Sequence, residues 1–353
     1  MPFWTGQFMA DRDAQIATFL SNTDWGMAKR SVLADDASFR RYDRLTTPDN
    51  SAVLMDAPPP AEDVRPFVRI ARHLTSLGLN APEILAEDEQ HGFLLLEDFG
   101  DETFTQVLKT TPEREAELYA SAIDVLIDLH KKPEAKVRAC PLMPYDTNRL
   151  IEEARLLIDW YLPAITGEDV SPKLLKEYCD LWRNVFTLLE DQPRTLVLRD
   201  YHVDNLVWLD HVAGNSRTGL LDFQDALFGP TVYDVVSLLE DARRDIAPSL
   251  INGMLDRYTQ AFSDLAASGP ARDAFNRAYA ITGAGRHAKV IGIFTRLCVR
   301  DAKPGYLVHI PRVWKLLEQS LRHPALAPVR DWIDDHIPET KRGIPLNPAA
   351  TQK

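Results

Sequence analysis

The sequence predicts an α+β chain of two lobes, a small β-rich N-lobe over residues 1–98 and a larger helical C-lobe over residues 99–353. Three observations carry this expectation. The chain has 353 residues, more than one hydrophobic core usually holds. Short strand-type segments crowd into the first lobe. Beyond residue 103 the apolar residues recur at helical spacing, with the stretch 195–224 as the exception.

Taken in order, residues 11–22 (DRDAQIATFLSN) read as a short amphipathic helix. In SVLADDASFRRYDRL, residues 31–45, two apolar ends flank a polar turn, the pattern of a hairpin. SAVLMDAP supplies a third strand, and Pro58-Pro59-Pro60 breaks the chain after it. Residues 62–77 carry Val64, Phe67, Val68, Ala71, Leu74 and Leu77 at helical spacing. Pro66 falls in the first turn, where a missing N–H costs little, and Gly78 suits the C-terminal cap. Two more strands follow, near Ile84-Leu85 and at Phe93 to Leu96. Helices are expected near 113–131, 146–163, 171–191, 231–242, 245–266, 271–300 and 310–321. TLVLRD, LVWL and GLLDF are short strands among polar loops, and LVWL is expected to pair with GLLDF across DHVAGNSRT. The tail from Glu339 is polar and expected to be poorly ordered.

Apolar residues make up 45% of the chain and charged ones 26%, ordinary for a folded globular protein. No run approaches the ~20 apolar residues that span a bilayer. The first residues, MPFWTGQFMADRD, lack a basic region followed by an apolar one. A cytoplasmic protein without a membrane partner is therefore expected. Cys140, Cys179 and Cys298 are widely spaced and form no CxxC, so they read as reduced thiols. A net charge of -12 argues against nucleic acid as the main partner. It still allows a local basic pocket for a small anion. A monomer is expected, although nothing in the sequence specifies oligomeric state.

The chemistry concentrates in LRDYHVDNLVWL and GLLDFQDALFGP. Asp200, Asn205 and Asp222 sit at strand ends. Magnesium takes hard oxygen ligands, typically one or two carboxylates plus substrate phosphates. A hydroxyl acceptor needs a carboxylate to orient it and take its proton. Phosphoryl transfer otherwise needs alignment and charge neutralisation. Asp200 is a candidate base, and Asn205 and Asp222 are candidate metal ligands. An isolated Asp-x4-Asn is more often a pair of turn caps facing solvent. The second strand end, with Asp222 and its apolar flanks, tips the reading toward function.

These segments resemble the aminoglycoside phosphotransferase / choline kinase superfamily, whose fold is similar to that of protein kinases. The family pattern is H-G-D-x-x-x-x-N, then I-D-W/F-E, then G-x-P-x-x-D. Here it appears as Leu198-Arg199-Asp200 with Asn205, Leu221-Asp222-Phe223-Gln224, and Gly229-Pro230 with Asp234. The resemblance implies a two-lobed kinase-like fold with a nucleotide-binding N-lobe and a catalytic, substrate-binding C-lobe. It implies ATP and Mg2+ as cofactors, Asp200 as catalytic base, Asn205 and Asp222 as magnesium ligands, and Asp234 as a structural acid. The leading His of the family is Leu198 here. The family's L-x-x-L-H appears at Leu126 to His130, with His130 read as scaffold.

The N-lobe departs from the pattern. Ordinary members carry a Lys on the third strand, paired with a helix Glu. Here the strand reads Val53-Leu54-Met55-Asp56, and the helix offers Phe67 and Val68. Losing both partners is coherent, because a lone buried charge is costly. The cations nearest to replace the Lys are Arg40 and Arg41, with Ser38 beside them for phosphate oxygens. A plain hairpin with exposed arginines is the other reading. Leu96, Glu97 and Asp98 fall where the family hinge meets adenine.

DASFRRY, VLMDAPPP, LLLEDFGD and GIFTRLCVRDAKPGYL add a finer resemblance. With the catalytic motifs they are similar to the bacterial anomeric kinases of N-acetylmuramate and N-acetylglucosamine, over residues 15–335. That resemblance implies phosphorylation of the 1-hydroxyl of an amino sugar in cell-wall recycling. Gln224 and Asp225, next to Asp222, are candidate sugar contacts, as are Tyr145, Arg149 and Trp160. Trp160 and Tyr161 are residues more often found in a core than as a stacking platform. Arg300, in the basic stretch 286–302, is a candidate partner for a muramate carboxylate, and a solvated basic face explains that stretch as well. Two rivals stand beside this reading: a kinase of the same fold acting on an aminoglycoside or choline, and a pseudokinase-like binding module. The missing Lys favours the module; the intact Asp200, Asn205 and Asp222 oppose it. A metal-hydrolase reading of His202-Val203-Asp204 lacks a third ligand.

Overall fold

The computed structural model describes residues 6–35, 40–210, 212 and 217–345. Nine strands occur among these: β1 (Lys29–Asp35), β2 (Arg41–Thr46), β3 (Ser51–Asp56), β4 (Ile84–Asp88), β5 (Phe93–Glu97), β6 (Arg194–Val197), β7 (Leu206–Trp208), β8 (Thr218–Leu220) and β9 (Leu227–Pro230). By packing, the chain divides into two compact units. One holds residues 1–114 and 203–225, the other residues 115–202 and 226–353. The single cut expected at residue 98 follows chain order. In the packed units, residues 99–114 and the strand pair β7–β8 group with the N-terminal sheet.

The first unit is built on an antiparallel sheet of order β1-β2-β3-β5-β4. The SAVLMD run of β3 is buried from Ala52 to Asp56, with no polar alternation. Such a run marks a strand covered on both faces. On one face Leu45, Ala52, Leu54, Phe93 and Leu95 pack with Ile16, Phe19 and Leu20 of the helix Gly6–Ser21. Arg12 of that helix reaches Asp56 at 2.6 Å, with both side chains buried. On the other face, Val53 and Leu96 line a cavity with Phe67 of the helix Arg65–Ser76. Pro66 lies in the first turn of that helix, and Gly78 beyond its end has φ +82°, the left-handed conformation glycine adopts without penalty.

The pair β7–β8 is antiparallel with Leu206 opposite Leu220. It joins the first unit through bridges from Asn80 to Gly219 and from Thr103 to Val207. A Cβ at Gly219 would meet the Phe99 ring at 2.8 Å. Only glycine lets that ring lie so close. The helix Phe104–Thr110, absent from the sequence expectation, is capped by Thr103 and buries Phe104, Val107 and Leu108.

The second unit is mainly helical, with one strand pair, β6–β9. Its central element is the 30-residue helix Pro270–Val299. Gly292 of that helix sits where a Cβ would come within 2.2 Å of the Leu156 backbone. This contact brings the helix against the segment 146–163. The single helix expected there is three pieces: Thr147–Ala154, a π-helical turn Leu157–Tyr161, and Leu162–Thr166. The helix Ala327–His336 was also not expected, although Val329, Trp332 and Ile333 have the spacing of a buried helix face. No helix among the described residues is long and apolar enough to cross a membrane.

Candidate active site

Asp200 belongs to the second unit, and Asn205 and Asp222 to the first. Five positions of chain separate Asp200 from Asn205. Each unit positions its own residues by a different device.

In the first unit, β7 starts one residue after Asn205 and β8 ends two residues before Asp222. The Leu221 N–H donates to the Asn205 carbonyl at 2.9 Å. The antiparallel pairing thus returns Asp222 to Asn205, whose Nδ2 donates to Asp222 Oδ2 at 3.3 Å. Gln224 Nε2 donates to the other oxygen, Oδ1, at 2.6 Å. Asp222 has φ +56°. Non-glycine residues in this region are uncommon and cluster at functional sites. Among the described residues no group of three or more His, Cys, Asp or Glu side chains stands ready for a metal. A carboxylate and an amide within one hydrogen bond of each other fit a hard divalent cation that takes its remaining ligands from phosphates and water.

The same unit contains a cavity of about 350 Å3 that ends at these two residues. Its walls include Val53, Phe67, Leu96, Val207 and Leu221, and its rim includes Glu97, Asp98, Asn205 and Asp222. Strand β5 ends at Glu97, so the backbone leaves the sheet ladder at this rim. Asp98 is held by Arg44 at 2.7 Å.

Arg40 precedes β2 and pairs with Glu62 at 2.9 Å, both side chains being largely buried. Burial works against the Arg40 charge, but Tyr42 and Glu62 outweigh it and raise its pKa. Tyr42, two positions further on, lines the cavity. Sequence reading looked for an acid on the helix at Phe67 and Val68. The acid that pairs is Glu62, before the helix begins. Arg41 opens β2 opposite Asp35 and Asp56. Ser38 lies outside the described residues.

In the second unit, β6 runs into Leu198-Arg199-Asp200. Arg199 has φ +71°, and the Asp200 N–H donates back to the Leu198 carbonyl at 2.9 Å. This is a γ-turn of the rare positive-φ kind. Asp234, on the helix Val232–Leu239, accepts the N–H groups of Leu198 and Arg199 at 2.7 and 2.9 Å. Burial pushes the Asp234 carboxyl up to about 7; the two N–H donors pull it down, and the nearby Asp200 charge pushes it up further. The Arg199 side chain turns inward to Glu153 at 2.6 Å. Lys289 meets the other Glu153 oxygen at 3.0 Å.

The expected sugar contacts are scattered. Tyr145 is fully enclosed, packs on Tyr233 and gives its hydroxyl to Glu153. The sequence reading assigned it to a sugar face; here its side chain is enclosed by protein. Arg149 is exposed and faces Glu152 at 3.6 Å. Trp160 is half-buried in the π-helical turn. Arg300 is exposed and paired with Asp301 at 2.7 Å. The basic stretch 286–302 is neither a pocket nor a solvated face throughout: Arg286 and Lys289 are buried, and Arg300 is outside. Gln224 is buried and Asp225 exposed. His130 bonds Tyr258 at 2.7 Å, an interior role. Glu153 and Lys289 stood out in the sequence only as members of the stretches 145–161 and 286–302, without a role of their own, since their spacing carries no motif.

An antiparallel sheet unit, a helical unit and a strand-end Asp/Asn/Asp set define a kinase-like phosphotransferase. Residues 29–275 match the APH family, described as "Phosphotransferase enzyme family", and the chain belongs to it. An N-acetylmuramate/N-acetylglucosamine kinase of Pseudomonas aeruginosa is 42% identical over 314 residues, covering 86% of this chain and 88% of its own length. One of Caulobacter vibrioides is 34% identical over 366 residues, covering 94% and 99%. Among solved structures, a choline/ethanolamine kinase family protein from Mesorhizobium loti has TM-score 0.58 at 14% identity, covering 91% of this chain and 99% of its own. The GDP complex of aminoglycoside 2'-phosphotransferase-IIIa has TM-score 0.56 at 14% identity, covering 87% and 97%. These two likenesses establish the fold.

Proposed function

We propose that this phosphotransferase is an ATP-dependent, magnesium-requiring kinase of the anomeric hydroxyl of N-acetylmuramate and N-acetylglucosamine, acting in the cytoplasm in peptidoglycan recycling. The observation that carries the substrate class is the run of relatives of that name, 34–42% identical over 84–94% of this chain.

The residues divide the work as follows. Val53, Leu96 and Leu221 enclose the adenine, with Leu96, Glu97 and Asp98 at its polar edge. Arg40, fixed by Glu62, faces the phosphates, with Arg41 and Ser38 beside it. Asn205 and Asp222 would hold the magnesium, and Gln224 orients Asp222 by bonding its second oxygen. Bound there, magnesium would supply charge neutralisation and alignment of the phosphate oxygens. Asp200 accepts the hydrogen bond of the sugar 1-hydroxyl and takes its proton as the oxygen bonds to the γ-phosphorus and the bond from that phosphorus to the β,γ-bridging oxygen breaks, with ADP leaving. Asp225, exposed three positions beyond Asp222, is assigned to a sugar hydroxyl. Arg149, Trp160 and Arg300 are assigned to the outer sugar surface. In this scheme residues 1–98 serve chiefly the nucleotide and residues 99–353 the chemistry and the sugar.

The test is phosphorus and proton NMR of the protein with ATP, magnesium and N-acetylmuramate, N-acetylglucosamine, choline or kanamycin. A phosphate coupled to the anomeric proton is the expected product. Phosphate on choline or kanamycin instead overturns the substrate. Asp200→Ala is expected to stay folded, bind ATP and lose about 10²–10⁴-fold in kcat. Near-normal turnover in that variant removes Asp200 from the role of base.

A further inference from the structure

We infer that the buried ion triplet Arg199–Glu153–Lys289 is a positioning device that sets the turn carrying Asp200. The inference rests on the reading of Asp200 as catalytic base.

The triplet is an expensive way to fill an interior. Buried ion pairs are often matched or bettered in stability by apolar residues of similar volume. Here a carboxylate and two cations are enclosed together: side-chain exposure is 14% for Arg199, 12% for Glu153 and 10% for Lys289. Each group is committed. Arg199 meets Glu153 Oε1 at 2.6 Å, and Lys289 meets Oε2 at 3.0 Å. The Tyr145 hydroxyl donates to Oε2 as well. Lys289 also donates to the Tyr233 hydroxyl at 3.3 Å. What such a cluster supplies is fixed geometry.

The object it fixes is Arg199, the residue before Asp200. Its N–H is held by Asp234 at 2.9 Å and its carbonyl by the Ser237 hydroxyl at 3.2 Å. Arg286 donates in turn to Ser237 at 2.9 Å. The helix Val232–Leu239 thereby grips the main chain of the turn, and the triplet grips its side chain. Together they hold φ at +71°, a conformation uncommon for a non-glycine residue. If the arginine side chain is released, the peptide between Arg199 and Asp200 can rotate, and the carboxylate moves with it. A displacement of about 1 Å at a reacting group costs on the order of 100-fold in rate.

The delivery of Lys289 is also built in. Gly292 lies one turn further along the same helix. The lack of a side chain there lets the helix touch the Leu156 backbone, next to the helix Thr147–Ala154 that carries Glu153. Burial works against the Lys289 charge, but Tyr233, Glu153 and Asp200 outweigh it. The lysine is therefore charged and within reach of the Asp200 field.

The experiment follows ADP release from ATP with N-acetylglucosamine as acceptor, in the wild type, Lys289→Met, Arg199→Met, the double variant and Asp200→Ala. Thermal unfolding gives the folded fraction of each. Lys289→Met is expected to lower kcat about 10–100-fold per folded molecule, with both KM values within about twofold of wild type. The double variant is expected to lose no more than the worse single one, because both act on one turn. Should Lys289→Met not fold, Arg199→Lys keeps the charge but shortens the side chain and loses the guanidinium contact to Glu153 Oε1, and is expected to show the same kcat loss. Wild-type kcat per folded molecule in these variants, beside an inactive Asp200→Ala, makes the triplet mere packing and leaves Asp200 as base. Turnover in Asp200→Ala, or no ADP release by the wild type, overturns the functional reading and the inference together.

Discussion

Asp234 accepts the backbone N–H groups of Arg199 and of the preceding Leu198, at 2.9 and 2.7 Å, so a single buried carboxyl holds the strained turn that presents Asp200. This makes Asp234 a group whose protonation matters to stability. Its carboxyl is pushed up to about 7 by burial, so the folded chain binds that proton more tightly than the unfolded chain does. Its contribution is full below about pH 4 and is lost as pH rises through about 7.

Asp234→Asn removes this titration and leaves one of the two N–H groups poorly matched. A loss of about 1–3 kcal/mol in unfolding free energy is expected at pH 5, with a smaller gap from wild type at pH 7.5. Urea unfolding at the two pH values measures it. A gap that widens with pH shows an ionised, stabilised carboxylate instead.

Asp222→Ala is expected to abolish the magnesium dependence of nucleotide binding, and Asn205→Ala to weaken it. Gln224→Ala retains both ligands but frees Asp222 Oδ1, which Gln224 holds at 2.6 Å. It is expected to weaken magnesium-dependent binding about tenfold, in line with the loss of a partner that orients a metal ligand. Calorimetry of ATP binding with and without magnesium reads all three. Equal affinities in the presence of magnesium dismiss the ligand assignment.

Arg40→Ala is expected to raise the KM for ATP at least tenfold and leave the KM for the sugar unchanged. Glu62→Ala is expected to do the same more weakly, because the acid acts only by holding the arginine at 2.9 Å. An unchanged ATP KM in Arg40→Ala returns the pair to a plain structural role and leaves the missing strand Lys unreplaced by it.

His130 titrates in the opposite sense to Asp234. Burial pushes its imidazole down to about 3, so the folded chain resists the proton. Stability is then present above about pH 6.5 and declines as pH falls below it. At about 1.4 kcal/mol per pH unit, the decline between pH 6.5 and 5 is on the order of 1–2 kcal/mol. His130→Gln is expected to lower Tm at pH 7.5, through loss of the bond to Tyr258, and to flatten the fall in Tm between pH 7.5 and 5. An equally steep fall in the variant assigns the acid sensitivity elsewhere.

Much of the first unit was legible in the chain itself. The SAVLMD run, the hairpin strands within residues 31–45 and the pairing of LVWL with GLLDF are decided by neighbours in sequence. Strand propensity, turn residues and apolar runs act locally, and the strands they specify place Asn205 and Asp222 together. The helix at 62–77, with Pro66 early and Gly78 at its end, was readable for the same reason. The short helix Phe104–Thr110 and the strand β9 were not, since each has only a few residues of pattern and depends on what packs against it.

By itself, then, the sequence determined most of the strands and the longer helices, the placing of Asp200, Asn205 and Asp222 beside short strands, and the resemblance to a phosphotransferase family that the comparisons bear out. Tertiary structure alone decided which charges meet. Glu62 reaches Arg40, Arg12 reaches Asp56, and Lys289 reaches Glu153 beside Arg199. It also withdrew Tyr145 to the interior and set Arg300 outside. The reason is that an ion pair depends on which helix faces and strand ends are pressed together and emptied of water. No local spacing of residues encodes that.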